Sequence, residues 1–349
     1  MQKVNVLVAG STGYIGIQLI KLLVKHKFIK IKYLCGNSSV GKNISNYDIN
    51  LKKKKLPKIK KLSYDFFNNV DVIFTALPNG ESQIISNHLK EKNILIDLSA
   101  DFRLQNKHTY KEFYKIKHRS VKNIKNSIYA LPEIIKKKIK NKKIISCPGC
   151  YPTSILLPLI PLLKKRLINK KIIVDSKSGY SGAGRSIHKK YKNHNLYESM
   201  SVYGIPKHRH NSEIQQEFNK ISKNILLEFT PHLTPMFRGI LSTIYIEKKK
   251  NVSTKRLLKY LKEFYKNDKF IRIKKMNKLL STNDVINTNY CDISICESSI
   301  KNKIIILSAI DNLIKGGAGQ AIQNLNNKYN FKTTEGLIWN LLFFLCYYS

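Results

Sequence analysis

The stretch SCPGCYPTSI, residues 146–155, holds Cys147 and Cys150 with only Pro148 and Gly149 between them. A C-x-x-C filled in this way fits a disulfide-exchanging pair, half of a zinc site, or one nucleophilic thiol beside a bystander. KKIIS (142–146) reads as a strand, and PTSILLPLIPLLKK as a helix starting near Pro152, where proline is tolerated in the first turn. A cysteine ahead of a helix feels its positive end and free amide N–H groups, which lowers the thiol pKa and offers an oxyanion pocket. Cys150 is therefore the candidate nucleophile. A redox pair usually puts one cysteine at the helix N-terminus and the other inside it, whereas this helix is expected to begin after both. Zinc would need further ligands, and CDISIC (291–296) is a poorly spaced partner within a strand-like segment. Cys147, at the strand end, reads as buried.

A catalytic thiol needs an acid–base partner. Of nine histidines, two fall together in PKHRHNSEIQQEF (206–218). Ser212 and Gln215 have capping-box spacing, which predicts a helix starting there with His210 just ahead of it. The positive helix end disfavours imidazolium, so His210 would be neutral and able to exchange a proton near neutral pH. One histidine of such a pair is expected to cap or pack locally, and His208 is the weaker candidate for the base.

A third set of residues suits a dinucleotide. GSTGYIG (10–16) joins the apparent strand KVNVLVAG (3–10) to the apparent helix YIGIQLIKLLVKH (14–26). Gly10, Gly13 and Gly16 would let the turn, with Ser11, Thr12 and Tyr14, approach a pyrophosphate and aim amide N–H groups at it. The context, strand before and helix after, is what gives a short glycine motif meaning. After the second strand, CGNSSVGKN (35–43) offers no acid to hold a ribose 2′-hydroxyl; Ser38, Ser39 and Lys42 suit a 2′-phosphate, which favours NADP.

These groups need elements to hold them. IKIKYLCG (29–36), DVIFTALP (71–78), NILIDLSA (93–100) and NSIYALPE (126–133) repeat the strand-then-turn form. Short strands alternating with helices predict a parallel, doubly wound sheet, hence an α/β fold. From about residue 170 the pattern lengthens: KKIIVDSKSG (170–179), NILLEFTPHL (224–233), GILSTIYIEKKK (239–250) and NKIIILSAID (302–311) read as strands of an α+β domain with a mostly antiparallel sheet. The expected division is residues 1–149, joined by final helices over about 316–349, and residues 150–315.

The chain has 349 residues, an apolar fraction of 42% and a net charge of +41. That charge raises nucleic-acid binding as a rival function. Its carriers are mostly lysines dispersed through loops such as LKKKKLPKIKK (51–61), without the concentrated Arg-and-aromatic face such binding uses. No specific nucleic-acid partner is expected. The six cysteines do not make a disulfide scaffold in a chain this long. The apolar run at the N-terminus is too short for a signal peptide, and GLIWNLLFFLCYYS (336–349) is too short for a membrane span. The latter is expected to dock as a buried helix, and the protein to be cytoplasmic with no membrane partner.

Nine segments in order resemble the N-acetyl-γ-glutamyl-phosphate reductase family, relatives of aspartate-semialdehyde dehydrogenase: GSTGYIG (10–16), FTALPNGES (74–82), IDLSADFRL (96–104), YALPE (129–133), CPGCYPTS (147–154), SGYSGAGR (178–185), HRHNSEI (208–214), TPHLTPMFRGI (230–240) and DNLIKGGAGQAIQN (311–324). The resemblance implies a Rossmann-type NADP-binding domain and a catalytic and dimerisation domain. It implies Cys150 as nucleophile and His210 as acid–base, and an acyl-phosphate substrate reduced by NADPH in arginine biosynthesis. It also implies a homo-oligomer, dimer or tetramer. Leu77, Pro78 and Asn312 would then lie along the cofactor, and Arg103, Arg185 and Arg209 are candidates for the substrate's carboxylate and phosphate. Rivals within the same chemistry act on aspartyl phosphate or a carrier-bound aminoadipyl phosphate. The chain departs from the family in having Cys147 where asparagine is usual and Ala130 where glycine is usual.

Overall fold

The computed structural model describes residues 3–185 and 198–338. Most of the apolar terminal segment therefore lies outside the described residues. Among the described residues no helix is long and apolar enough to cross a membrane.

Seven strands form a wholly parallel sheet: β1 (Val4–Ala9), β2 (Ile29–Cys35), β3 (Ile59–Lys60), β4 (Val72–Thr75), β5 (Ile94–Asp97), β6 (Ser127–Tyr129) and β7 (Ile144–Ser146). Their order is β3-β2-β1-β4-β5-β7-β6. In β1 the run Val6–Ala9 is apolar without alternation because both faces are covered. Val6 and Val8 enter one core and Leu7 and Ala9 the other. The chain leaves β1 for β2 on one side and later places β4 on the other. This reversal opens a crevice at the carboxyl ends of β1 and β4, where such sheets bind ligands.

A second sheet holds β8 (Ile168–Gly179), β9 (Ser201–Val202), β10 (Leu226–Thr234), β11 (Ile240–Lys248), β12 (Ile271–Ile273), β13 (Cys291–Glu297) and β14 (Lys303–Ile310) in the order β12-β13-β14-β11-β8-β10-β9. The β8–β10 and β12–β13 pairs are parallel and the other neighbours antiparallel, matching the mostly antiparallel expectation. One face packs on helices. Ile173 and Tyr245, paired on the other face of β8 and β11, remain exposed.

Among the described residues the helices of ten residues or more are α1 (Tyr14–Leu23), α2 (Cys150–Lys164), α3 (Arg209–Asn219), α4 (Thr254–Phe264) and α5 (Gly319–Tyr329). Helix α2 leaves the first sheet directly after β7, yet its Ile155, Leu156 and Leu159 pack with Ile172, Val174 and Ile244 of the second. Its N-terminus therefore stands at the seam between the sheets. Helix α5 runs back: Ala321, Ile322 and Leu325 share a core with Val6 and Val8 of the first sheet and Leu19 of α1.

Candidate active site

Helix α2 begins at Cys150 itself, with Gly149 as N-cap, rather than at Pro152. Pro152 still falls in the first turn, where it sacrifices no helical hydrogen bond. No side chain caps this helix, so its first amides are available to a ligand. The expected lowering of the thiol pKa does not hold. Burial pushes Cys150 up, and Arg103, the Tyr151 N–H and Arg209 pull back only in part. Low dielectric penalises the thiolate more than the helix end favours it.

Cys147 has a different environment. It is fully buried in the first-sheet core, whereas Cys150 packs against the core of the second. Burial pushes the Cys147 thiol up to about 12. Asn324 Nδ2 approaches its sulfur at 3.7 Å and donates to Ala130 O at 2.9 Å, while Asn324 Oδ1 has no partner. An asparagine at position 147 would bring the N–H donor that Asn324 Oδ1 lacks. Cys291 lies buried in β13, and among the described residues no cluster of three or more His, Cys, Asp or Glu could hold a metal.

The capping box at Ser212 does not form. Helix α3 starts earlier, at Arg209, and His208 is its N-cap, its Nδ1 accepting from the His210 N–H at 3.2 Å. Ser212 instead donates to Arg209 O at 2.7 Å. His208 is thus the histidine that caps, and His210 sits in the first turn. Burial, then His208, Arg209 and Arg103, hold His210 well below the usual imidazole range. Its Nδ1 has no partner, and its Nε2 lies 3.7 Å from Glu213 Oε1. A Cβ on Gly149 would come within 2.4 Å of His210 Nε2, so the glycine lets the ring lie against the start of α2.

Glu213, not singled out from the sequence, organises this corner. It is fully buried, and its Oε1 accepts from Arg103 Nη1 at 3.0 Å. Its Oε2 accepts from the Gly149 N–H at 3.0 Å and Tyr129 OH at 3.2 Å. The available signal was its spacing: three residues after His210 on a helix puts both on one face. Arg103, a candidate for meeting substrate, lines the cleft that runs to Cys150 and also commits three donors inside the protein. Besides Glu213 it bonds Cys147 O at 2.9 Å and Leu98 O at 3.2 Å.

The glycine turn fits a dinucleotide. Gly10 has φ +82°, and a Cβ there would lie 2.2 Å from Ala76 O; one on Gly16 would lie 2.1 Å from Gly10 O. Gly13 is the N-cap of α1, again with no side-chain cap. Thr12, Gly13, Tyr14 and Gly16 line a cavity of about 350 Å³ that runs to Cys150 and is walled by Asn312, Gly316 and Gly317. Asn312 donates to Ser181 Oγ at 2.9 Å and accepts from the Gly239 N–H at 2.7 Å, so its amide shapes the wall. Ser11 is buried and donates to Cys35 O at 3.0 Å. Ser38 is exposed at the end of β2, while Ser39 is buried with its hydroxyl unpartnered. Neither they nor Leu77 and Pro78, which follow β4, line this cavity. The glycine cradle and the orphaned Ser39 hydroxyl suit a phosphorylated dinucleotide.

A second cavity, of about 560 Å³, opens on the other side of Cys150 and is lined by Tyr151, Ser178, Tyr203, Lys207, His208 and Leu233 among others. Cys150, Gly182, Arg209 and His210 line both cavities. Arg209 is exposed, and its guanidinium has no hydrogen-bond or ion-pair partner among the described residues. Arg185 leans the other way, its Nε donating to Thr12 O at 2.9 Å and its guanidinium 4.7 Å from the Tyr14 ring.

Residues 5–142 match the family described as semialdehyde dehydrogenase, NAD binding domain, and residues 150–312 the semialdehyde dehydrogenase, dimerisation domain. An N-acetyl-gamma-glutamyl-phosphate reductase of Ehrlichia ruminantium is 43% identical over 96% of this chain and 98% of its own. One of Brachyspira hyodysenteriae is 44% identical at the same coverages. A probable chloroplastic one of Arabidopsis thaliana is 39% identical over 96% of this chain and 84% of its own. Among solved structures, aspartate semialdehyde dehydrogenase II from Vibrio cholerae superposes with a TM-score of 0.69 at 16% identity, covering 95% of this chain and 99% of that one. The Candida albicans enzyme with NADP gives 0.65 at 15%, covering 94% and 99%. At such identities the likeness is one of fold. With the reductase relatives matching nearly end to end, the chain belongs to the N-acetyl-γ-glutamyl-phosphate reductase family of semialdehyde dehydrogenases.

Proposed function

We propose that this chain is an oxidoreductase that uses NADPH to reduce N-acetyl-glutamyl 5-phosphate to N-acetyl-glutamate 5-semialdehyde, releasing phosphate, in cytoplasmic arginine biosynthesis. The observation that carries this reading is that Cys150 and His210 stand where the dinucleotide cleft and the second cavity meet, in a chain so similar to the named reductases. Residues 1–149, with α5, hold the cofactor. Residues 150–315 supply the covalent chemistry and an exposed sheet face for a homo-oligomer.

The thiol is protonated at rest, and His210 is neutral. The Glu213 carboxylate lies 3.7 Å from Nε2, and the neutral ring, held against the start of α2, is the base for the thiol. As His210 takes the Cys150 proton, sulfur attacks the acyl carbon; the C–S bond forms, the bond to the phosphate oxygen breaks, and phosphate departs. The first amides of α2 face the developing oxyanion. Gly10–Gly16, Ser38, Ser39, Leu77, Pro78 and the Asn312 wall would hold NADPH, which would supply the hydride for reduction of the thioester carbon. Collapse of the resulting thiohemiacetal releases aldehyde and thiolate, and His210 returns its proton to sulfur. Arg209 and Lys207 are free to bind the substrate's anionic groups, and Arg185 braces the cofactor turn. Arg103 acts through Glu213 and the Cys147 carbonyl.

The test is NADPH oxidation with N-acetyl-glutamyl, aspartyl and carrier-bound aminoadipyl phosphates in parallel. The expected result is turnover of the first at a kcat/KM well above the others. Preference for another acyl phosphate would overturn the assignment, and salt-sensitive RNA or DNA binding without turnover would replace it.

A further inference from the structure

Lys315 is fully buried, an environment lysine occupies only when paired. Its ammonium donates to Glu133 Oε1, also buried, and to Gln323 Oε1 at 2.7 Å. Gln323 Nε2 in turn donates to Glu133 Oε1 at 3.0 Å. None of these groups lines the cavities that meet at Cys150. A buried ion pair adds little stability over an apolar one, so its place in the fold needs another reason.

That place is a π-turn, Ile314–Ala318, in which the Gly316 N–H reaches Asp311 O at 2.9 Å and the Ala318 N–H reaches Leu313 O at 2.8 Å. The turn is wedged between the reacting partners. A Cβ on Gly316 would meet Cys150 Cβ at 2.6 Å, and one on Gly317 would meet Ile15 of the cofactor turn at 2.8 Å. Gln320 Nε2 ties the turn to α2, donating to Lys315 O at 3.2 Å and Thr153 Oγ1 at 2.9 Å. Single π-turns are costlier than α-helix and concentrate at functional sites. Relaxation to α-helix would rotate the following residues by roughly 100° about the axis and carry the Lys315 ammonium away from Glu133, leaving two unpaired buried charges.

We propose that Lys315 and Glu133 are positioning residues: their ion pair holds the π-turn in the register that sets the distance between the Cys150 sulfur and the nicotinamide. This rests on the reading of Cys150 as nucleophile and of the glycine-turn cleft as the cofactor site.

The test compares wild type with Lys315→Met and with Lys315→Met/Glu133→Gln, the second leaving no buried charge. Four readings are taken: the melting temperature, NADP⁺ affinity by calorimetry, iodoacetamide alkylation of Cys150, and steady-state kinetics. A folded double variant is expected to lose kcat about 10-fold or more and to bind NADP⁺ several-fold more weakly. KM for the acyl phosphate and the alkylation rate are expected to stay within about 2-fold. A folded double variant with kcat and NADP⁺ affinity within about 2-fold of wild type overturns the proposal. Failure of the double variant to fold overturns it too, since the pair would then serve stability alone. Affinity and alkylation are read without acyl phosphate, so a wrong substrate assignment leaves them decisive. Wild type that does not bind NADP⁺ would instead refute the functional reading.

Discussion

Replacing Glu213 with glutamine changes one oxygen to an amide and leaves the volume intact. The carboxylate accepts from Arg103, the Gly149 N–H and Tyr129 OH. A glutamine oxygen can serve Gly149 and Tyr129, but its NH₂ then faces Arg103 Nη1, donor against donor. The guanidinium loses its counter-charge while buried, which costs about 3–5 kcal/mol. Against the usual stability of about 5–15 kcal/mol, the variant should fold but melt on the order of 10 °C lower. Activity should fall further than stability explains. Gly149 is the N-cap of α2, and its neighbour Cys150 moves with it; His210 loses the charge beside Nε2. A misplacement of about 1 Å at such a site costs on the order of 100-fold in kcat. The assay is steady-state reduction at low temperature, with circular dichroism confirming that the variant is folded, and Glu213→Asp as the variant that keeps the charge. Glu213→Gln with kcat within about 3-fold of wild type and a melting point within about 2 °C would refute this account of the corner.

Cys150→Ser should abolish turnover and Cys147→Ser should leave most of it, and equal loss in both would revive the redox pair. Cys147→Asn should raise the melting point by supplying Asn324 Oδ1 with a donor, an effect of about 1 kcal/mol visible in urea unfolding. Gly16→Ala should remove NADP⁺ binding in a calorimetric titration, because its methyl has no room against Gly10 O. His208 is held at about 4 by burial and by Arg209, below its ordinary 6.5. Its contribution to stability is therefore whole above pH 6.5 and lost as pH falls toward 4, on the order of 3 kcal/mol. His208→Asn, which keeps a cap, should flatten that acid limb in pH-dependent unfolding, and an unchanged limb would exclude His208 as its source.

The strands of the first sheet other than β3 and the long strands of the second were legible because periodicity and glycine turns are local properties. Strands β3, β9 and β12, two or three residues each, carry too few residues for a pattern, and only their neighbours define them. Cys150, His210 and the glycine turn could be singled out because each lies at an element boundary that sequence marks. The helix starts were misplaced by two or three residues, since proline in a first turn and a capping-box spacing each tolerate more than one register. What tertiary structure alone decided is electrostatic and long-range. Burial, which no spacing reports, raised the Cys150 pKa against the helix end. Arg103 and Glu213, 110 positions apart, meet only after both domains fold, and that meeting fixes where the guanidinium stands beside Cys150. The sequence determined which residues could react; the packing of α2 across the seam decided what each of them faces.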